Sequence, residues 1–295
     1  MYLGLHSRST YNTVRLTLKM HCKAIAAALA ASLAMAIAQT TTCQSYVIIS
    51  IRGTYELQGR SIAFASMIND TFAAVPGGIE YDAVYPAAAN QTAYLGADDV
   101  TRYITTGLES CPDQSYAILG YSQGASATML TLANITDPST AIYNSIKAVL
   151  VVGNPYHVPN ASINIDEFGG DSTRKYPGAS YRADNASADG IAEICYQNGK
   201  LLDICHTEDI VCAPAYPDAS FVPGHLRYGD ADVQELGRKF LVEKLSGGEN
   251  VTTTGSANGT SSSGSAPATY TGAASSVQVG AVGAVLCSGL LAWML

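Results

Sequence analysis

A three-layer α/β domain with a mostly parallel central sheet is the fold this sequence predicts, and three observations predict it. Short apolar runs rich in Val, Ile and Tyr recur along the chain. Segments with apolar residues at helical spacing separate them. The runs are apolar on both faces rather than alternating, as strands are when helices cover both sides of a parallel sheet.

Taken in order, the strand signals are residues 45–51 (SYVIISI), 79–85 (IEYDAVY), 116–119 (YAIL), 148–152 (AVLVV) and 201–204 (LLDI). Helical spacing marks residues 61–72, 94–108 and 123–135, and 232–245 closes the domain in the same way. Residues 154–198 are rich in Gly, Pro, Asn and Ser and read as an extended loop region. No internal repeat is visible. The folded part, residues 39–246, is a single domain of roughly 200 residues, enough to bury a substantial core.

Both ends of the chain read as processing segments. Residues 1–38 carry Arg8, Arg15, Lys19 and Lys23, no acidic residue, and then an apolar run ending in the small-residue site Ala36-Ile37-Ala38. That is the pattern of a cleaved secretory signal, with Gln39 as the expected mature start and Met20 as an alternative initiator. The apolar run is shorter than the roughly 20 residues a membrane span needs. Residues 247–276 form a Ser/Thr/Gly-rich stalk with too little apolar surface to fold. Residues 277–295 are a hydrophobic tail that reads as a GPI-anchor signal, with Ser263-Gly264-Ser265 or residues 272–274 as attachment sites and a retained tail helix as the rival. On either reading the domain is extracellular, at the cell surface or cell wall.

The formal net charge of −8 becomes more negative once the basic leader is set aside, which disfavours nucleic acid and anionic lipid as partners. Sequons at Asn69, Asn90, Asn134, Asn160, Asn185, Asn250 and Asn258 are glycosylation candidates. Outside the leader and tail stand Cys43, Cys111, Cys195, Cys205 and Cys212, an odd number for an oxidising compartment, so one is unpaired or bridges to another chain. A zinc site is disfavoured because Cys205 and Cys212 lack a C-x-x-C half, and no metal is expected.

The sequence Gly120-Tyr121-Ser122-Gln123-Gly124 is a G-x-S-x-G match lying between a strand signal and a helix signal. In that setting it reads as a nucleophile elbow, with Ser122 at the sheet's carboxyl edge and a helix N-terminus beside it. A serine hydroxyl needs a base, and the base a carboxylate that fixes its tautomer. Of the histidines outside the leader, His225 in VPGHLRYG comes late enough in the chain, whereas His157 and His206 read as surface or loop residues. Asp209, sixteen residues before His225 in CHTEDIVC, is the best acid. Glu208 is the solvated competitor, and Asp203, Asp218 and Asp230 are less well placed.

With IRGTYELQG, ESCPDQSYAILGYSQGA, CHTEDIVC, HLRYG and the closing FLVEKL, the chain resembles the cutinase family of serine esterases, which includes fungal acetylxylan esterases, over most of residues 43–245. The resemblance implies an α/β-hydrolase-like fold with Ser122 as nucleophile, Asp209 as acid and His225 as base. It further implies an oxyanion hole from Thr54 and the Gln123 backbone, and disulfides Cys43–Cys111 and Cys205–Cys212 that leave Cys195 over. No cofactor is required, and the chain is expected to act as a monomer on an ester substrate. Residues 156–198 are longer than in compact members of the family, which leaves cutin-like aliphatic ester and acetylxylan as alternatives. Phe221 and Val222 lean towards acyl chains, while Tyr121, Tyr181 and Tyr228 lean towards sugar. A non-catalytic, wall-anchored glycoprotein is the reading from another class.

Overall fold

The computed structural model describes residues 42–135, 137–182, 198–220 and 223–247. The leader, the tail, all of the stalk but Gly247, and Cys195, Phe221, Val222, Asn185, Asn250 and Asn258 lie outside the described residues. The chain divides after Cys43. Of the first unit only Thr42 and Cys43 are described, both exposed. The unit that begins at Gln44 carries every element named below.

Among the described residues, six strands form one sheet: β1 (Tyr46–Ile51), β2 (Gly78–Asp82), β3 (Ser115–Tyr121), β4 (Ile146–Val152), β5 (Asn164–Ile165) and β6 (Leu201–Ile204). Their order is β2-β1-β3-β4-β6-β5, and every pairing is parallel. Five α-helices among the described residues accompany them: α1 (Ala65–Ala74), α2 (Ala93–Ser110), α3 (Gln123–Ala133), α4 (Ala141–Ser145) and α5 (Ala231–Leu245). The solution is a three-layer sandwich.

The two-residue period of a strand explains how one sheet feeds two cores. Val47, Ile49, Ile51, Ile118, Val149 and Val151 point to one face and pack with Val100 and Ile104 of α2 and Ala125 and Leu132 of α3. Ile48, Leu119, Leu150 and Val152 point to the other and pack with Met67 and Ile68 of α1 and Val233 and Leu241 of α5. Every residue of β1 is buried, which accounts for its unbroken apolar run.

Two elements were not legible. β5 lies inside the stretch read as loop, pairing with β6 over only two positions. The short α4 is started by the Thr140 hydroxyl, which accepts the Tyr143 N–H at 3.3 Å. The strand order turns back between β1 and β3, and in parallel α/β sheets a crevice opens at the carboxyl ends of such a pair. The loops after β1 and β3 carry Thr54 and Ser122.

Candidate active site

Ser122 sits between β3 and α3 with φ of 55° and ψ of −115°, a left-handed conformation that a non-glycine residue adopts only under constraint. The constraint is backbone: Ser122 N–H donates to the Val152 carbonyl at 3.0 Å, and Ser126 N–H to the Ser122 carbonyl at 3.1 Å. Gly124 allows the crossing, because α3 passes hard against the end of β1.

His225 lies in a 3-10 turn, Gly224–Leu226, just before α5. Its Nε2 is 2.8 Å from Ser122 Oγ and its Nδ1 2.8 Å from Asp209 Oδ2. Asp209 is fully buried, and its Oδ1 accepts the Val211 N–H at 2.7 Å. Cys205 and Cys212 are joined in a disulfide whose ring contains Asp209, and Cys43 and Cys111 are each disulfide-bonded. Three side chains spread over more than a hundred residues thus form one hydrogen-bonded chain, in the order in which a proton would leave the serine.

Above them opens a cleft of about 380 Å³, lined among others by Thr54, Tyr55, Tyr94, Gln123, Leu130 and Leu226. Gln123, which lines the cleft, opens α3, whose first-turn N–H groups have no intrahelical acceptors. Thr54 lies opposite, its Oγ1 accepting from Gln91 Nε2 at 3.3 Å. The Thr54 loop is braced by Glu56, whose carboxylate takes the Gly53 N–H, the Ser61 hydroxyl at 2.9 Å and the Ile62 N–H at 2.8 Å. The Gln123 side chain has a task that sequence reasoning did not see: its Nε2 donates to the Ala88 carbonyl at 2.9 Å.

Both other histidines lie in loops, as expected, but are buried there. His157 is fully buried rather than superficial, with Nδ1 3.1 Å from Asp203 Oδ2, to which Asn154 Nδ2 also donates at 2.9 Å. His206 is buried too, its Nδ1 accepting the Glu208 N–H at 3.2 Å. Neither is within the Ser122 chain. Glu208 pairs instead with Arg227 at 3.2 Å near the surface, Asp230 pairs with the same arginine, and Asp218 is exposed. Asn69, Asn90, Asn134 and Asn160 are exposed, as glycan acceptors must be. Of the tyrosines read as sugar-facing, Tyr228 is buried beneath the site, while Tyr121 is also buried but contributes to the cleft lining, and its hydroxyl donates to the His225 carbonyl at 2.7 Å. Burial, followed by the charges of Glu56 and Asp209, pushes the Tyr121 phenol far up.

The cutinase family profile matches residues 42–245, and a cutinase-like protein from Cryptococcus sp. superposes with a TM-score of 0.61 at 36% identity, over 70% of this chain and 98% of that one. The chain belongs to the cutinase family of serine esterases. Cutinase 11 of Verticillium dahliae is 25% identical over 233 residues, 74% of this chain and 75% of its own. Carboxylesterase Culp1 of Mycobacterium tuberculosis is 28% identical over 123 residues, which is 40% of this chain. That match spans only about half the mycobacterial protein's length, 55%. The catalytic core domain of Trichoderma reesei acetyl xylan esterase shares the fold at 19% identity and a TM-score of 0.55, over 68% of this chain and 99% of that one.

Proposed function

We propose that this cutinase-family protein hydrolyses carboxylic esters by acyl transfer. Ser122 Oγ attacks the ester carbonyl as His225 Nε2 takes its proton, and Asp209 holds the ring and offsets the imidazolium charge. The Gln123 N–H and the Thr54 hydroxyl receive the oxyanion. The imidazolium then protonates the departing alcohol, and water, deprotonated by the same nitrogen, releases the acid. The observation that carries this reading is the pair of 2.8 Å contacts that His225 makes with Ser122 and Asp209 at the floor of the cleft.

For the substrate we favour short- to medium-chain aliphatic esters such as those of cutin. Tyr55, Tyr94, Leu130 and Leu226 line the cleft and are at least a third exposed, so an acyl chain would meet apolar walls. A second reading, deacetylation of xylan, is supported by the two exposed tyrosine rings at the same mouth. The disulfides suit an oxidising compartment, and we assign the protein to the cell exterior, tethered through its tail and acting as a monomer.

Ser122→Ala should abolish hydrolysis of p-nitrophenyl butyrate while leaving the fold intact, and retained turnover would remove the assignment. Rates on tributyrin and acetylated xylan, measured side by side on the wild type, decide between the substrates. A scaffold without chemistry would fail to react with a fluorophosphonate probe.

A further inference from the structure

Tyr228 is 1% exposed and lies under the Ser122 site without reaching the cleft. Its hydroxyl has two hydrogen-bond neighbours of opposite kind. Asp209 Oδ2 stands 2.6 Å away, and the backbone N–H of His206 points at the phenol oxygen from 3.1 Å. A backbone N–H only donates and an ionised carboxylate only accepts, so the single phenolic proton must lie on the line to Asp209. The nearby Cys212 sulfur, 3.3 Å off, is in a disulfide and could only accept, far more weakly than the carboxylate oxygen at 2.6 Å. Burial, reinforced by the Asp209 charge and hydrogen bond, raises the phenol well above its ordinary value, so it remains a donor throughout the working range.

Asp209 Oδ2 is therefore shared between His225 Nδ1 and Tyr228. A second donor on the same oxygen draws off part of the carboxylate's charge and stops the carboxylate from rotating about its bond. We propose that Tyr228 is a positioning residue that sets the basicity of His225 by hydrogen bonding to Asp209. This rests on Ser122, His225 and Asp209 working as proposed above.

Among the described residues, the remaining groups around the pair are committed elsewhere. After β6, His206 turns its ring towards Glu208 and Glu167, and Glu208 pairs with Arg227. Before α5, Arg227 is held by Glu208 and Asp230. After β3, the Tyr121 hydroxyl is committed to the His225 carbonyl, and after β1, Glu56 is committed to its own loop. The Tyr228 carbonyl accepts from Gln234 Nε2 at 2.7 Å, so α5 fixes the ring in place.

Tyr228→Phe keeps the ring and removes one oxygen. With the carboxylate left to His225 alone, the imidazolium is held more firmly and the acid limb of the kcat/KM profile should move up by about half a unit to one unit. The variant should then lose about three- to tenfold more activity at pH 5 than at pH 8. Replacing Tyr228 by 3-fluorotyrosine keeps every contact, strengthens the donor and should move the limb down; it decides the matter if the phenylalanine variant does not fold. A limb that stays in place in either folded variant, with only amplitude or Tm altered, overturns the inference and leaves a structural role. Ser122→Ala in parallel separates the two levels. If it stays active, the mechanism fails whatever Tyr228 does; if it is inert while the limb stays in place, only the role of Tyr228 fails.

Discussion

Gly124 and Ile51 meet backbone to backbone: a Cβ on Gly124 would stand 2.0 Å from the Ile51 carbonyl oxygen and 2.8 Å from that of Arg52. Neither atom can yield, because Ile51 ends a fully buried central strand and Gly124 lies in the first turn of α3. Gly124→Ala should therefore cost about 3 kcal/mol or more, read as a lower denaturant midpoint. Activity should fall in the folded fraction too, since α3 carries the Gln123 N–H. An unchanged midpoint would contradict the close crossing.

Thr54 Oγ1 accepts from Gln91, which leaves its own proton for an acceptor in the cleft. If that acceptor is the oxyanion, Thr54→Val should lower kcat on the order of a hundredfold with little change in KM, and Thr54→Ser should recover most of it. A loss confined to KM would instead make Thr54 part of the substrate wall.

The Cys205–Cys212 disulfide closes a ring with a sequence separation of 7, which the chain-entropy account values at about 2.5 kcal/mol. Asp209 lies in that ring, so Cys205→Ala with Cys212→Ala should reduce activity further than the lost stability explains. Turnover by the fully folded double variant, compared with wild type, is the measurement. Equal turnover would show that Val211 N–H and Tyr228 hold the carboxylate without the ring.

Asp82, at the end of edge strand β2, has its carboxyl raised from 3.8 to about 6. Burial is the main cause and Glu80 the second, with Arg60 and Arg52 only partly offsetting them. Because the folded value lies above the unfolded one, the contribution of Asp82 to stability is complete below 3.8 and is lost as pH rises through 6. Asp82→Asn should therefore raise stability at pH 8 by about 1 kcal/mol, after allowing for its partial exposure, and leave it unchanged at pH 4. Equal effects at both pH values would rule out a titrating origin.

The sheet was legible because its central strands are buried on both faces and carry that fact in every residue, as YVIISI does in β1. β5 was not, because Asn164 and Ile165 owe their pairing to β6 and not to any apolar pattern of their own. The burial of His157 and His206 in their loops was not legible for a related reason. Nothing near them in sequence announces that Asp203 or Glu167 will stand beside them, and a polar residue is recognised as buried only when its partner is known.

By itself the sequence determined the alternation of strand and helix, the glycine-flanked Ser122 turn, and the order in which Asp209 and His225 follow it. Those are local or one-dimensional properties, set by side-chain periodicity and by the need for small residues where backbones cross. Only the tertiary structure decided that Tyr228 belongs under Asp209 rather than at the mouth, that the Gln123 side chain holds the Ala88 carbonyl, and that Tyr55 and Tyr94 are exposed rings at the cleft. Each depends on which donor lies within about 3 Å of which acceptor. Segments remote in sequence meet at that distance only once the sheet has set their ends side by side.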